Sequence, residues 1–85
     1  MITEESRKRD FVRNISTLLA EEPRSGVEYI EYDGDFEGRF EVVTIHYCRG
    51  GVSRISVTDD SCGDIFREIG AEVYGDGSAG RMCRI

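Results

Sequence analysis

The sequence predicts a two-layer α+β domain in the order α-β-β-β-α, a three-stranded antiparallel meander with both helices packed on one face. Three observations lead there. A stretch near each end repeats apolar residues at spacings of three and four, as amphipathic helices do. The stretch between them is rich in β-branched and aromatic residues and is punctuated by Asp33-Gly34 and Arg49-Gly50-Gly51. Each helix has one apolar stripe and the sheet one apolar face, so burying all three surfaces requires both helices on the same side.

The first helix begins after Thr3, whose hydroxyl can accept from an orphan amide of the first turn, with Glu4 and Glu5 at the positive end of the dipole. Phe11, Val12, Ile15, Leu18 and Leu19 form its apolar stripe, and Glu4 with Lys8 and Glu5 with Arg9 are placed for i,i+4 pairing on a solvated first turn and a half. Pro23 disfavours helical geometry at Glu22 and Arg24-Ser25-Gly26 supplies a turn, so the helix ends near Glu21.

Val27 to Tyr32 is a short strand, and Asp33-Gly34, tolerant of positive φ, predicts a tight hairpin directly after it. By alternation Val27 and Tyr29 point one way and Ile30 and Tyr32 the other, and an even-numbered turn sets Ile30 and Tyr32 beside Val43 and Ile45. The next two strands lie in Arg39–Cys48 and Val52–Thr58. A two-residue loop between them mixes polar and apolar residues on both faces. A three-residue loop of Arg49, Gly50 and Gly51, with Gly51 left-handed, pairs Ile45 with Ile55 and Val43 with Val57. One clean core face results: Val43, Ile45, Tyr47, Ile55 and Val57. The opposite face carries Phe40, Val42, Thr44, His46, Cys48, Val52, Arg54, Ser56 and Thr58.

Ser61 followed by Asp64 resembles a capping box, and Cys62, Ile65, Phe66, Ile69 and Val73 continue at helical spacing until Gly75 closes the helix. Gly70 inside it costs on the order of 1 kcal/mol relative to Ala and points to close helix packing or an early end. Residues 1–75 thus form a single domain, with residues 76–85 a flexible tail or a short extra edge strand formed by Arg81 to Ile85.

Seventeen acidic against eleven basic side chains give a net charge of −6, which repels phosphate backbones unless the few cations cluster. The one cationic cluster, Arg7, Lys8, Arg9 and Arg13, is balanced locally by Glu4, Glu5 and Asp10. No apolar run approaches bilayer length and the start is acidic where a signal peptide is basic and then apolar, so a cytoplasmic protein without membrane attachment is expected. Cys48, Cys62 and Cys83 cannot all pair within one chain, and reduced thiols follow.

The chemical motifs fail on inspection. Asp33-Gly34-Asp35-Phe36-Glu37-Gly38 resembles the start of a calcium loop, but the twelfth position is Thr44 where a bidentate carboxylate is needed, and strands flank it. His46, Cys48, Cys62 and Cys83 lack the close-pair spacing of a zinc site. His46 and Cys48 share a strand face about 7 Å apart, with no third group to orient a nucleophile. No enzyme activity, cofactor or metal is therefore expected.

The helix, three strands and helix resemble double-stranded RNA-binding domains in topology alone. Those domains present lysines where the second helix begins. Here Asp59, Asp60, Ser61 and Asp64 stand there, so no family is assigned and no functional residue is carried over. The expected function is a small acidic interaction or regulatory module. Its contact face is Phe40, Val42, Thr44, His46, Val52, Arg54 and Ser56, met by a protein partner or a second copy of the chain. Nucleic-acid binding through the same face or the first-helix cations is the alternative, and mimicry of nucleic acid by the acidic surface a third.

Overall fold

A computed structural model describes residues 3–75. The elements are α1 (Glu4–Ala20), β1 (Val27–Phe36), β2 (Phe40–Tyr47), β3 (Val52–Ser56) and α2 (Cys62–Tyr74). The strands form an antiparallel sheet in the order β1-β2-β3, and both helices pack on one face, as the patterning predicts. Val12 and Ile15 of α1 and Ile65 and Ile69 of α2 meet Val43 and Ile45 of β2 and Val57, just past β3, in one buried cluster. The tail or edge strand expected at 76–85 lies outside the described residues.

Thr3 caps α1 through an N–H donated by Ser6 at 3.0 Å. Two serines then tie the helix to the sheet edge. The Ser16 hydroxyl accepts from the Ile30 amide at 2.8 Å, occupying a donor on the outer edge of β1. Ser25 donates to the Leu19 carbonyl and accepts from the Val27 amide, which fixes the path from helix to strand. Ser61 and Asp64 complete the predicted capping box of α2, and Gly75, at φ +74, closes it. Gly70 neither ends the helix nor serves close packing, since a Cβ there would meet nothing within 4 Å.

The hairpins depart from expectation in instructive ways. Asp33-Gly34 is not the first turn: β1 runs on to Phe36, and the chain reverses through Glu37 and Gly38, both at positive φ. Asp33 instead accepts from the Asp35 amide with its own side chain, at the bulge where pairing shifts between Asp33 and Phe36. Gly34 lets the Glu5 side chain come close rather than making a turn: a Cβ there would stand 2.7 Å from it, so Glu5 would have to shift. Ile30 and Tyr32 do pair with Ile45 and Val43. A second bulge, between Val27 and Tyr29, breaks the expected alternation: Val27 enters the core and Tyr29 faces out.

Between β2 and β3, Val43 pairs with Ile55 and Ile45 with Ser53, two positions from the predicted register. The three-residue loop is Cys48, Arg49 and Gly50, closed by Tyr47 and Gly51, and it is Gly50 that takes positive φ. A shift of two preserves side-chain parity. The predicted core face therefore stands, with Val43, Ile45 and Val57 fully buried and Tyr47 and Ile55 packed at its margin.

Candidate functional site: the outer face of the sheet

Strand pairing sets three cross-sheet rows on the face turned away from the helices. They are Tyr29, His46 and Val52; Glu31, Thr44 and Arg54; and Asp33, Val42 and Ser56. The first row is aromatic and apolar. Tyr29 and His46 stack with ring centroids 4.1 Å apart and planes 13° from parallel, and Val52 is exposed beside them. His46 Nε2 lies 2.9 Å from Glu31 Oε1, and because a carboxylate only accepts, Nε2 is the protonated nitrogen.

Farther along the sheet, the Arg54 guanidinium lies 6.0 Å from the Phe36 ring centroid. The two side chains come from the outer strands, so this contact spans β2. Arg39 covers Phe40 at 5.1 Å. Charge is segregated: Glu31 and Asp33 line β1, and Arg54 lies on β3.

Of the seven residues expected on this face, Phe40, Val52, Arg54 and Ser56 are exposed and Thr44 and His46 half-buried. Val42 is the correction. It belongs to the outer face by register but is only 8% exposed, so it supports the surface rather than offering one. Sequence reasoning missed Tyr29, Glu31 and Phe36, which β1 contributes. Ile30 and Tyr32 were legible as inward residues, and the alternating Glu31 was the available signal. Tyr29 was hidden by the bulge and Phe36 by the misplaced turn.

A second polar cluster sits on the inner side, at the end of the sheet. Lys8 of α1 is buried, where the sequence implied a solvated turn, and it bonds Glu41 Oε1 of β2 at 2.8 Å instead of pairing with Glu4. Tyr32 donates to the same oxygen at 2.7 Å, and the Asp59 amide donates to Oε2 at 2.9 Å. The Glu41 hydrogen bond holds the Lys8 pKa above its ordinary value against the opposing effect of burial. Burial works to raise the Glu41 carboxyl, but the bonds from Lys8, the Asp59 amide and Tyr32 together hold it below its ordinary value. Burial, and then the bond to Glu41, push the Tyr32 phenol strongly upward. All three groups thus stay locked in the forms that bond one another, an arrangement suited to holding α1 on the sheet.

The α1 cations are largely engaged: Lys8 as above, Arg9 with Glu5 at 2.6 Å, and Arg13 with Asp10 at 3.9 Å. Cys48 and Cys62 are free thiols. Among the described residues no three His, Cys, Asp or Glu side chains converge to hold a metal, and no helix is long and apolar enough to cross a membrane. Compared with protein-family models, curated proteins and solved structures, the chain finds no match.

Proposed function

We propose that the protein is a small interaction module that acts by binding, without catalysis, and that its contact surface is the outer face of the sheet. One observation carries this reading: Tyr29, Phe40 and Val52 are exposed on the face that both helices leave free. Aromatic groups already ordered by stacking, as Tyr29 is on His46, supply contact area at low entropic cost. Acids along β1 and Arg54 along β3 make the face self-complementary under a twofold axis, so a second copy is one partner it fits. A cytoplasmic setting suits the free thiols.

The test is a Val52→Asp, Arg54→Glu double variant, both sites being exposed. Light scattering and affinity capture from the native host should show lost association with unchanged circular dichroism. Unchanged association state together with unchanged capture would sink the proposal. The exposed aromatics with Arg39 and Arg54 also favour a second reading, stacking of single-stranded nucleic acid. Binding in a low-salt shift assay, lost on Tyr29→Ala, would replace the first reading with the second.

A further inference from the structure

A second apolar surface lies between the helices. A groove of ≈ 270 Å³ is walled by Ile15, Leu18 and Leu19 of α1 and by Phe66, Gly70 and Tyr74 of α2, and its lining is wholly apolar. Leu18, Phe66 and Tyr74 are 67%, 61% and 56% exposed, although the first two belong to the stripes that elsewhere bury each helix. Large apolar groups left open side by side make a surface that lacks its cover. Gly70 lies between Phe66 and Tyr74, and a Cβ there would meet nothing within 4 Å, so the α2 backbone can be approached closely at that point.

The described chain leaves the fold at this groove. Tyr74 is both the last residue of α2 and part of the wall, and Gly75 follows at φ +74, a conformation that ends the helix and redirects the chain. Residues 76–85 lie beyond it. Asp76 to Gly80 hold no large apolar side chain and have the composition of a linker, whereas Arg81 to Ile85 include Met82, Cys83 and Ile85. Phe66, Gly70 and Tyr74 recur every fourth residue, so the α2 wall is about 12 Å long. The seven residues from Asp76 to Met82 span up to roughly 23 Å when extended, enough to double back along the whole wall.

Size and tethering favour this occupant over a separate one. The groove falls below the roughly 300–1,000 Å³ of ligand pockets and offers little toward the ~800 Å² that each partner in a stable complex buries. A segment joined to α2 by a short linker is present at an effective concentration on the order of millimolar, so a few contacts suffice to seat it.

We propose that residues 81–85 of this chain cover the groove, with the Met82 side chain seated at Gly70 between Phe66 and Tyr74 and Ile85 beside it. Methionine suits a cleft with aromatic walls, since it is flexible and its sulfur packs favourably against rings. The wholly apolar lining gives Arg81 and Arg84 nothing to bond, so their charges stay in water. This cover does not rest on the sheet-face reading and uses different residues.

The experiment records nuclear Overhauser contacts in the full chain, labelled at methyl groups and aromatic rings, and again in a mixture of two differently labelled preparations. The Met82 methyl should contact the Phe66 and Tyr74 rings, within one chain. Met82→Asp with Ile85→Asp should abolish these contacts and shift the amide signals of Leu18, Phe66, Gly70 and Tyr74, leaving those of Tyr29, His46 and Val52 in place. Gly70→Leu, which blocks the approach while favouring the helix, should also abolish the Met82 contacts. No contact from Met82 or Ile85 to the groove of the unsubstituted chain would leave the groove to a separate partner and overturn the proposal. Contacts to Val52–Ser56 instead would overturn it by making the segment an edge strand. Contacts only between differently labelled copies would make the occupant a second chain, and groove signals unmoved by the double substitution would contradict the cover directly.

Discussion

Two triads built from the same chemistry sit on opposite faces of the β1–β2 pair. On the inner side, Glu41 holds Lys8 and Tyr32; on the outer side, Glu31 holds His46, which stacks on Tyr29. Each is a strand carboxylate with a basic group and a tyrosine. They differ in water. The Lys8 and Glu41 side chains are 6% and 19% exposed, those of His46 and Glu31 24% and 62%. Burial makes the inner bonds obligatory, because a charge left there alone has no solvent to turn to. The outer bonds are optional, because water replaces them at little cost. Similar side chains thus serve cohesion on one face and stay open to solvent on the other.

The contrast breaks most visibly at the two carboxylates. Glu41→Ala leaves Lys8 buried without its partner and should cost about 3 kcal/mol in urea unfolding. That is a large fraction of the stability a domain of this size commands. Glu31→Ala should stay within about 0.5 kcal/mol. Comparable losses at the two sites would erase the distinction.

The inner triad also has a pH signature. Folding lowers the Glu41 pKa from its ordinary 4.5, so its contribution is complete above that value and is lost as the pH falls through the depressed folded value. Lys8 and Tyr32 are raised above 10.5 and 10.0, so their contributions are complete below those values and fade as the pH rises through the folded ones. Unfolding measured across pH should show the acid-side loss shrink in Glu41→Gln. An acid limb unchanged by Glu41→Gln would contradict the assignment.

A smaller effect sharpens the comparison from the recognition side. Tyr29→Ala removes one exposed ring and its stack on His46, and should cost no more than about 1 kcal/mol of stability while abolishing association. A loss of stability as large as that of Glu41→Ala would make Tyr29 a core residue in disguise.

The sequence made the inner face legible because strand parity survives errors of detail. Placing the loop at 49–51 instead of 48–50 moved every β2–β3 pair by two and changed no side chain's face. The turn itself was ambiguous because adjacent glycines both accept positive φ, and only Gly50 uses it. β1 was harder, since an interior bulge resets parity and nothing local at Glu28 marks one. Asp33-Gly34 has turn chemistry but spends it on a bulge and on admitting Glu5. The Lys8–Glu41 bond joins positions 33 apart, and no periodicity in either element announces it. Both helix caps, which depend on residues three apart, were read correctly for the opposite reason.

We propose that recognition belongs to the outer sheet face. Hydroxyl-radical footprinting of the chain alone and in complex with its captured partner tests it most directly. Protection of Tyr29, Phe40, His46 and Val52 is expected, with Tyr32 unchanged because it is already buried. Unaltered labelling of those four residues in the complex would contradict it.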